Sequence, residues 1–341
     1  MRDVWFLRFC ADYDRKRGKN DMTGFSRASL LMALAALGLM LAAGHLTREK
    51  AQPVQAAVTL ASREGYTLTA GETPPEGEER LFSQEILYQG RLLYVSPTNP
   101  LPAGLPAQQA RDVRSLVGLY IPAATHVSLS EETIYALCDL AAQNPLVSTW
   151  IMAGMRSPGE QAALQKAAFA AYQATLPVAE ALRKATQDIP DSGGSEHQLA
   201  TCFDLRLDGP QDWSGADPMA RTADGRWLLT HGWEYGFIRR YPPQKAALTG
   251  IANETLHWRF VGRLHARAMH AADWCLEEYL TALHTYGVLR LQTPEGASFW
   301  MLCQPLGESV SFSIPQGAEY EVSADNMGWA VCAYRADQSS F

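Results

Sequence analysis

The chain has 341 residues and 47% apolar content, enough to bury one full-sized core with material left for smaller modules. A net charge of −7 excludes the basic face of a nucleic-acid binder, and 9 Trp with 13 Tyr exclude a disordered scaffold. The six cysteines (10, 138, 202, 275, 303 and 332) form no C-x-x-C pair and are irregularly spaced, which excludes a cysteine zinc knuckle, a thioredoxin-type site and a disulfide framework.

Residues 28–46, Ala-Ser-Leu-Leu-Met-Ala-Leu-Ala-Ala-Leu-Gly-Leu-Met-Leu-Ala-Ala-Gly-His-Leu, carry no Asp, Glu, Lys or Arg. At about 1.5 Å per helical residue this run just crosses a hydrocarbon core of about 30 Å. The preceding residues 1–27 hold Arg2, Arg8, Arg15, Lys16, Arg17, Lys19 and Arg27 against four Asp, an excess that predicts a cytoplasmic tail, a single-pass anchor and an extracytoplasmic remainder. A cleaved signal peptide and a buried Ala/Leu helix are the competing readings of the same run. Residues 47–86, with Gly71, Pro74, Pro75, Gly77 and the acidic Glu76, Glu78 and Glu79, read as a tether.

Ordered sequence is expected from Leu87, with a strand-like stretch to Val95 broken by Pro97 and Pro100. Ser130 is placed to cap a helix whose apolar face is Ile134, Leu137, Cys138 and Leu140. Residues 147–154 read as a buried strand, and 159–186 as helix split near Pro177. Residues 203–207 and 258–261 alternate as strands, and 277–283 reads as helix. Beyond it, residues 288–292, 309–314 and 330–334 alternate between turn residues and predict a small β-rich module over 283–341. Helices and short strands without regular β-α-β order predict an α+β fold.

Two stretches could carry chemistry: Ser-Glu-His-Gln-Leu-Ala-Thr-Cys-Phe-Asp at 195–204 and Glu-Thr-Leu-His-Trp-Arg at 254–259. A catalytic zinc takes three nitrogen or oxygen donors and leaves a fourth position for water. His197, Asp204 and His257 would supply the three, and Glu254, three residues before His257, would reach that water as general base. Spacing alone does not single this set out among eight His. No H-E-x-x-H helix supports an ordinary zincin, and no G-x-S-x-G surrounds Ser195 to support a serine nucleophile. In strand alternation Cys202 points to the same face as Asp204. His231 is read as structural.

These stretches resemble a known family. Residues 195–204 are similar to the S-x-H-x-x-G-x-A-x-D signature of VanY-like D-alanyl-D-alanine carboxypeptidases, zinc peptidases that share a Hedgehog-like metal fold with the VanX dipeptidases. Residues 254–262, Glu-Thr-Leu-His-Trp-Arg-Phe-Val-Gly, resemble their E-P-W-H-W-R-Y-V-G block. Trp227-Leu228 and residues 234–242 resemble W-L…K-Y-G-F-x-x-R-Y-P. Residues 153–161 resemble S-G-Y-R-S-x-x-x-Q, and Asn99-Pro-Leu-Pro the opening N-P-L-P. The blocks lie in order across an expected zinc domain at 87–282.

The resemblance implies zinc held by His197, Asp204 and His257, Glu254 as base, Arg156 on the substrate carboxylate or the carbonyl oxygen that gains charge, and Gln161 and Ser195 as substrate-binding residues. A guanidinium fork suits Arg156 to that role. The implied reaction removes the C-terminal D-Ala from peptidoglycan stem peptides or precursors, in a monomer with no nucleic-acid partner. An L,D-carboxypeptidase or endopeptidase, and an inactive wall-binding relative, are the alternatives. The chain departs from the pattern at Leu199, Ala200 (family Gly), Cys202 (family Ala), Thr255, Leu256 and Met155. Whether Cys303 and Cys332 pair is open at this point.

Overall fold

Among the described residues the alternation of apolar and polar residues builds a six-stranded and a four-stranded antiparallel sheet, each with helices on one face, and two two-stranded ribbons. The computed structural model describes residues 57–336 except 106–107, 116–120, 209–216 and 252–253. The tail at 1–27 and the expected span at 28–46 lie outside these residues. Among the described residues no helix is long and apolar enough to cross a membrane.

In chain order come β1 (Val58–Arg63), β2 (Tyr66–Ala70) and β3 (Glu78–Ser83), then the two-residue strands β4 (Arg111–Asp112) and β5 (Ser128–Leu129). Helix α1 (Glu131–Gln143) precedes β6 (Thr149–Ala153), α2 (Pro158–Gln173) and α3 (Val178–Asp188). Next are β7 (Cys202–Leu207), α4 (Ala223–His231), β8 (Phe237–Arg239) and β9 (His257–Phe260). Helices α5 (Arg263–Ala272) and α6 (Leu276–Tyr286) lead into β10 (Val288–Gln292), β11 (Ser298–Pro305), β12 (Ser309–Ile314), β13 (Tyr320–Ala324) and β14 (Trp329–Arg335).

Most of the expected elements form where the pattern places them. The Ser130 hydroxyl accepts the Thr133 N–H at the start of α1, satisfying one of the donors a helix start leaves open. Pro177 separates α2 from α3, because its ring forbids a continuous hydrogen-bond ladder. The stretch 87–95 corrects the reading as a strand. Leu87, Leu92, Leu93 and Val95 are buried, but they belong to a helical turn at Gln84–Leu87 and the turns after it.

The tether reading of 47–86 is corrected over 58–83. There β1 and β2 form a hairpin that continues onto β10, and β3 pairs with β12. The polar look of the segment comes from β1 lying at a sheet edge with mostly exposed or half-exposed residues. Its partners lie more than two hundred residues away, beyond the reach of local pattern.

The larger sheet therefore runs β1-β2-β10-β11-β14-β13 and joins the C-terminal module to the segment before the site. One face packs Leu289, Leu291, Phe299, Met301, Cys303, Val331 and Ala333 against α5 and α6. The other packs Trp300, Leu302, Cys332 and Tyr334 against the β3–β12 ribbon. Cys303 and Cys332 sit on opposite faces, and both are free thiols.

The smaller sheet, β6-β7-β9-β8, carries the site. Phe203, Leu205, Leu207, Trp258 and Phe260 turn one face onto Ile134, Leu137 and Leu140 of α1. At roughly 25 cal/mol per Å² of apolar area removed from water, this core is what holds β7 and β9 in fixed register.

Candidate metal centre

In β7 and β9, Cys202 faces Arg259, Phe203 faces Trp258 and Asp204 faces His257. Side chains alternate along a strand. With the aromatics directed to the core, Cys202, Asp204, His257 and Arg259 must share the opposite face. Directly opposed residues have Cβ atoms about 4.5–5.5 Å apart, and the register brings Asp204 Oδ1 to 2.8 Å from His257 Nδ1.

His197 comes from the turn ahead of β7, the 3-10 segment Glu196–Leu199 headed by Ser195. The segment ends at Ala200, which has φ 57° and ψ 11°, the left-handed region. That conformation turns the chain into β7 and delivers His197 Nε2 to 3.1 Å from Asp204 Oδ2. It also explains why a glycine suits this position, and here alanine bears the strain.

The outer nitrogen of each histidine is tied to an oxygen that can only accept. His197 Nδ1–H donates to the Gly154 carbonyl at 2.6 Å, and His257 Nε2–H donates to Glu196 Oε2 at 3.3 Å. Each inner nitrogen meets a carboxylate oxygen at about 3 Å, an arrangement that needs a cation between lone pairs. Protons can fill that role: burial alone would lower His197, but Cys202 and Asp204 outweigh it and push the ring up to about 9. Burial would raise Asp204, and the two imidazoles reverse this and hold it far below the usual carboxylate range. A metal takes the place of such protons when it binds. An outer N–H fixed on a carbonyl or carboxylate is the support that metal-bound histidines have. His197 Nε2, Asp204 and His257 Nδ1 could thus hold zinc, to which two nitrogens and an oxygen are well matched.

Cys202 completes the face. Its Sγ and one nitrogen each of His197 and His257 lie within 4.8 Å of one another, all buried. Burial pushes the thiol up, and the two imidazoles bring it down to about 7.

Glu254 arrives through a tight turn in which the His257 N–H donates to the Glu254 carbonyl at 3.3 Å. The residue is exposed at the rim. Nearby protein still strips water from its carboxyl and raises it, with His257 opposing and Asp204 reinforcing. A carboxyl moved toward neutral pH is suited to taking and returning a proton.

Arg156 and Gln161 are placed by one capping box. The Ser157 hydroxyl accepts the Glu160 N–H and the Glu160 carboxylate accepts the Ser157 N–H, which puts Arg156 just before α2 and Gln161 in its first turn. Arg156 Nη2 donates to Asp204 Oδ2 at 3.4 Å and Nη1 to Gln161 Oε1 at 3.2 Å. Gln161, itself buried, donates on to the Pro190 carbonyl at 2.7 Å. Ser195 is buried at the head of the His197 turn, where its carbonyl accepts the Gln198 N–H. His231 pairs with Glu234 at 2.9 Å, as a structural residue does.

Sequence reasoning passed over Glu196. Its carboxylate is buried, with Oε1 accepting from Arg240 Nε at 2.8 Å and Arg259 Nη1 at 2.5 Å, and Oε2 from His257. Burial would raise it, but the two guanidiniums hold it well below the usual range. Arg240 also clamps Glu277, and Arg259 also donates to the carbonyls of Arg91 and Leu93. One signal was available: Arg259 sits in the fully buried strand His-Trp-Arg-Phe, and a charge there requires a partner.

Two imidazoles and a carboxylate around one point, with a second carboxylate and an arginine at the rim, define a metal-dependent hydrolase. Residues 127–263 match the family described as VanY, D-alanyl-D-alanine carboxypeptidase. A D-alanyl-D-alanine carboxypeptidase of Enterococcus faecium is 25% identical over 265 residues, 76% of this chain and 80% of that protein. Another, of Enterococcus faecalis, is 35% identical over 131 residues, 38% of this chain and 46% of that protein. The crystal structure of the vancomycin-resistance D,D-dipeptidase VanXYg with a D-Ala-D-Ala phosphinate analogue shares the fold, with a TM-score of 0.59 and 22% identity over 76% of this chain and 98% of that one. Over residues 127–263 the chain is thus similar to the VanY-type D-alanyl-D-alanine carboxypeptidases.

Two stability measurements follow from this geometry. Glu196→Gln removes the counter-charge of two buried guanidiniums and should cost about 3–5 kcal/mol in urea unfolding; a loss below about 1 kcal/mol would mean the two arginines do not depend on it. Ala200→Gly relieves a left-handed alanine and should raise stability by about 1 kcal/mol in the same assay, whereas a loss would mean the backbone there is unstrained.

Proposed function

We propose that the chain is a zinc-dependent D,D-carboxypeptidase that removes the C-terminal D-alanine from peptidoglycan stem peptides or precursors. The observation that carries this reading is the pair of histidines whose outer N–H groups are already committed, on Gly154 and Glu196, leaving the inner nitrogens on either side of Asp204. His197, Asp204 and His257 would hold the metal. When bound, zinc supplies Lewis acidity, making water nucleophilic near neutral pH and polarising the scissile carbonyl.

The remaining steps belong to the chain's own side chains. Glu254 accepts a proton from the attacking water at its carboxylate oxygen, and returns it to the amine of the departing D-alanine. Arg156 lies beside Asp204, and its permanent cation would stabilise the charge that the carbonyl oxygen gains. Gln161 fixes the guanidinium by accepting from Nη1 while anchored on Pro190. Ser195 contributes through the turn that presents His197.

The apolar run at 28–46 completes the proposal as a single-pass membrane anchor with the catalytic domain outside the cytoplasm, where stem peptides are exposed. The positive excess of residues 1–27 supports that orientation.

Mass spectrometry on a pentapeptide stem ending in D-Ala-D-Ala tests the reaction. Release of a single D-alanine is expected, and Glu254→Gln should lower the rate about 10²–10⁴-fold while zinc content stays unchanged. Cleavage confined to tetrapeptide stems would point to the L,D-carboxypeptidase instead, and no cleavage of any stem by the zinc-loaded protein would leave an inactive wall-binding relative.

A further inference from the structure

Cys202 occupies a position where the resembling family has alanine, and it faces the histidines. It belongs to the same strand face as Asp204, two residues along β7. Its Sγ lies within 4.8 Å of one ring nitrogen on each of His197 and His257. The thiol is wholly enclosed at 0% exposure, so water does not compete for it, and β7 is fixed on both sides by β6 and β9.

We propose that Cys202 is itself a ligand of the metal, so that sulfur joins the two imidazoles and Asp204 around the ion and water would take a fifth position, a coordination number that catalytic zinc can reach. The inference rests on the reading of the site as a zinc centre and sharpens it by naming a donor. Zinc accepts thiolate alongside imidazole, and mixed Cys/His sets occur in both structural and catalytic zinc sites. On metal binding the Cys202 thiol would give up its proton to solvent, as other cysteine ligands do. A soft sulfur donor shifts preference toward zinc and away from harder ions such as manganese or magnesium, which favour carboxylate and water. Arg259 opposite Cys202 is committed to Glu196 and to two backbone carbonyls, and the apolar core lies on the other face.

X-ray absorption at the zinc edge of the zinc-loaded full chain reads the donors directly. The expected spectrum contains a sulfur shell at about 2.3 Å beside nitrogen and oxygen at about 2.0–2.2 Å, and that shell is lost in Cys202→Ala and in Cys202→Ser. The serine variant guards against misfolding, since it keeps the side chain's size, and circular dichroism confirms the fold of each. Zinc bound by nitrogen and oxygen alone in the parent chain overturns the proposal and leaves the zinc centre standing. A sulfur shell that persists in both variants also overturns it, because another cysteine then supplies the sulfur. A folded chain that retains no zinc overturns the metal-centre reading itself, and the cysteine ligand with it.

Discussion

Glu196 carries its charge where water cannot reach it, and the rest of the site is arranged around that charge. Arg240 from the end of β8 and Arg259 from β9 converge on one oxygen, and His257 donates to the other. Through Arg240 the same cluster reaches Glu277 at the start of α6, and through Arg259 the backbone at Arg91 and Leu93. One carboxylate thus ties together the His197 turn, the smaller sheet, a helix beneath the larger sheet and the segment that precedes the site. A buried ion cluster of this kind contributes little net stability, because removing water from each charge offsets much of the attraction. What it fixes is position. The His257 ring cannot rotate without giving up its bond to Glu196, so its Nδ1 stays directed at Asp204.

The sequence made the ligand candidates legible for a reason that the structure makes plain. Asp204 and His257 are cross-strand neighbours, and a period of two puts Cys202 and Asp204 on one face without any knowledge of the partner strand. Glu254 and His257 are joined by a four-residue turn, so their relation is local as well. Ser130 at the start of α1 and the break at Pro177 were readable because capping and proline chemistry act within a few residues. The role of Glu196 was not readable, since its arginines lie 44 and 63 residues away. The strands at 58–83 were hidden for the same reason. Their pairing depends on residues more than two hundred positions later, and an edge strand with exposed residues resembles a polar tether.

The departures from the family pattern fall close to the metal face and differ in consequence. Ala200 keeps the left-handed turn that glycine would make without strain, so the geometry survives at an energetic cost. Cys202 adds a buried thiol within 4.8 Å of a ring nitrogen of each histidine. Thr255 and Leu256 lie inside the turn between Glu254 and His257, where they alter the rim and leave the base and the ligand in place. Departures that preserve backbone and donors are the pattern expected of a hydrolase adjusting what it accepts rather than losing its reaction.

On the proposed reading, the inner nitrogens of two pre-oriented histidines flank Asp204 to receive one metal ion. Anomalous diffraction at the zinc edge from a zinc-soaked crystal measures this directly. One strong peak is expected in contact with His197 Nε2, Asp204 and His257 Nδ1, with the bonds to Gly154 and Glu196 retained. A peak on His197 Nδ1 or His257 Nε2, or no peak on this face of the sheet, would contradict it.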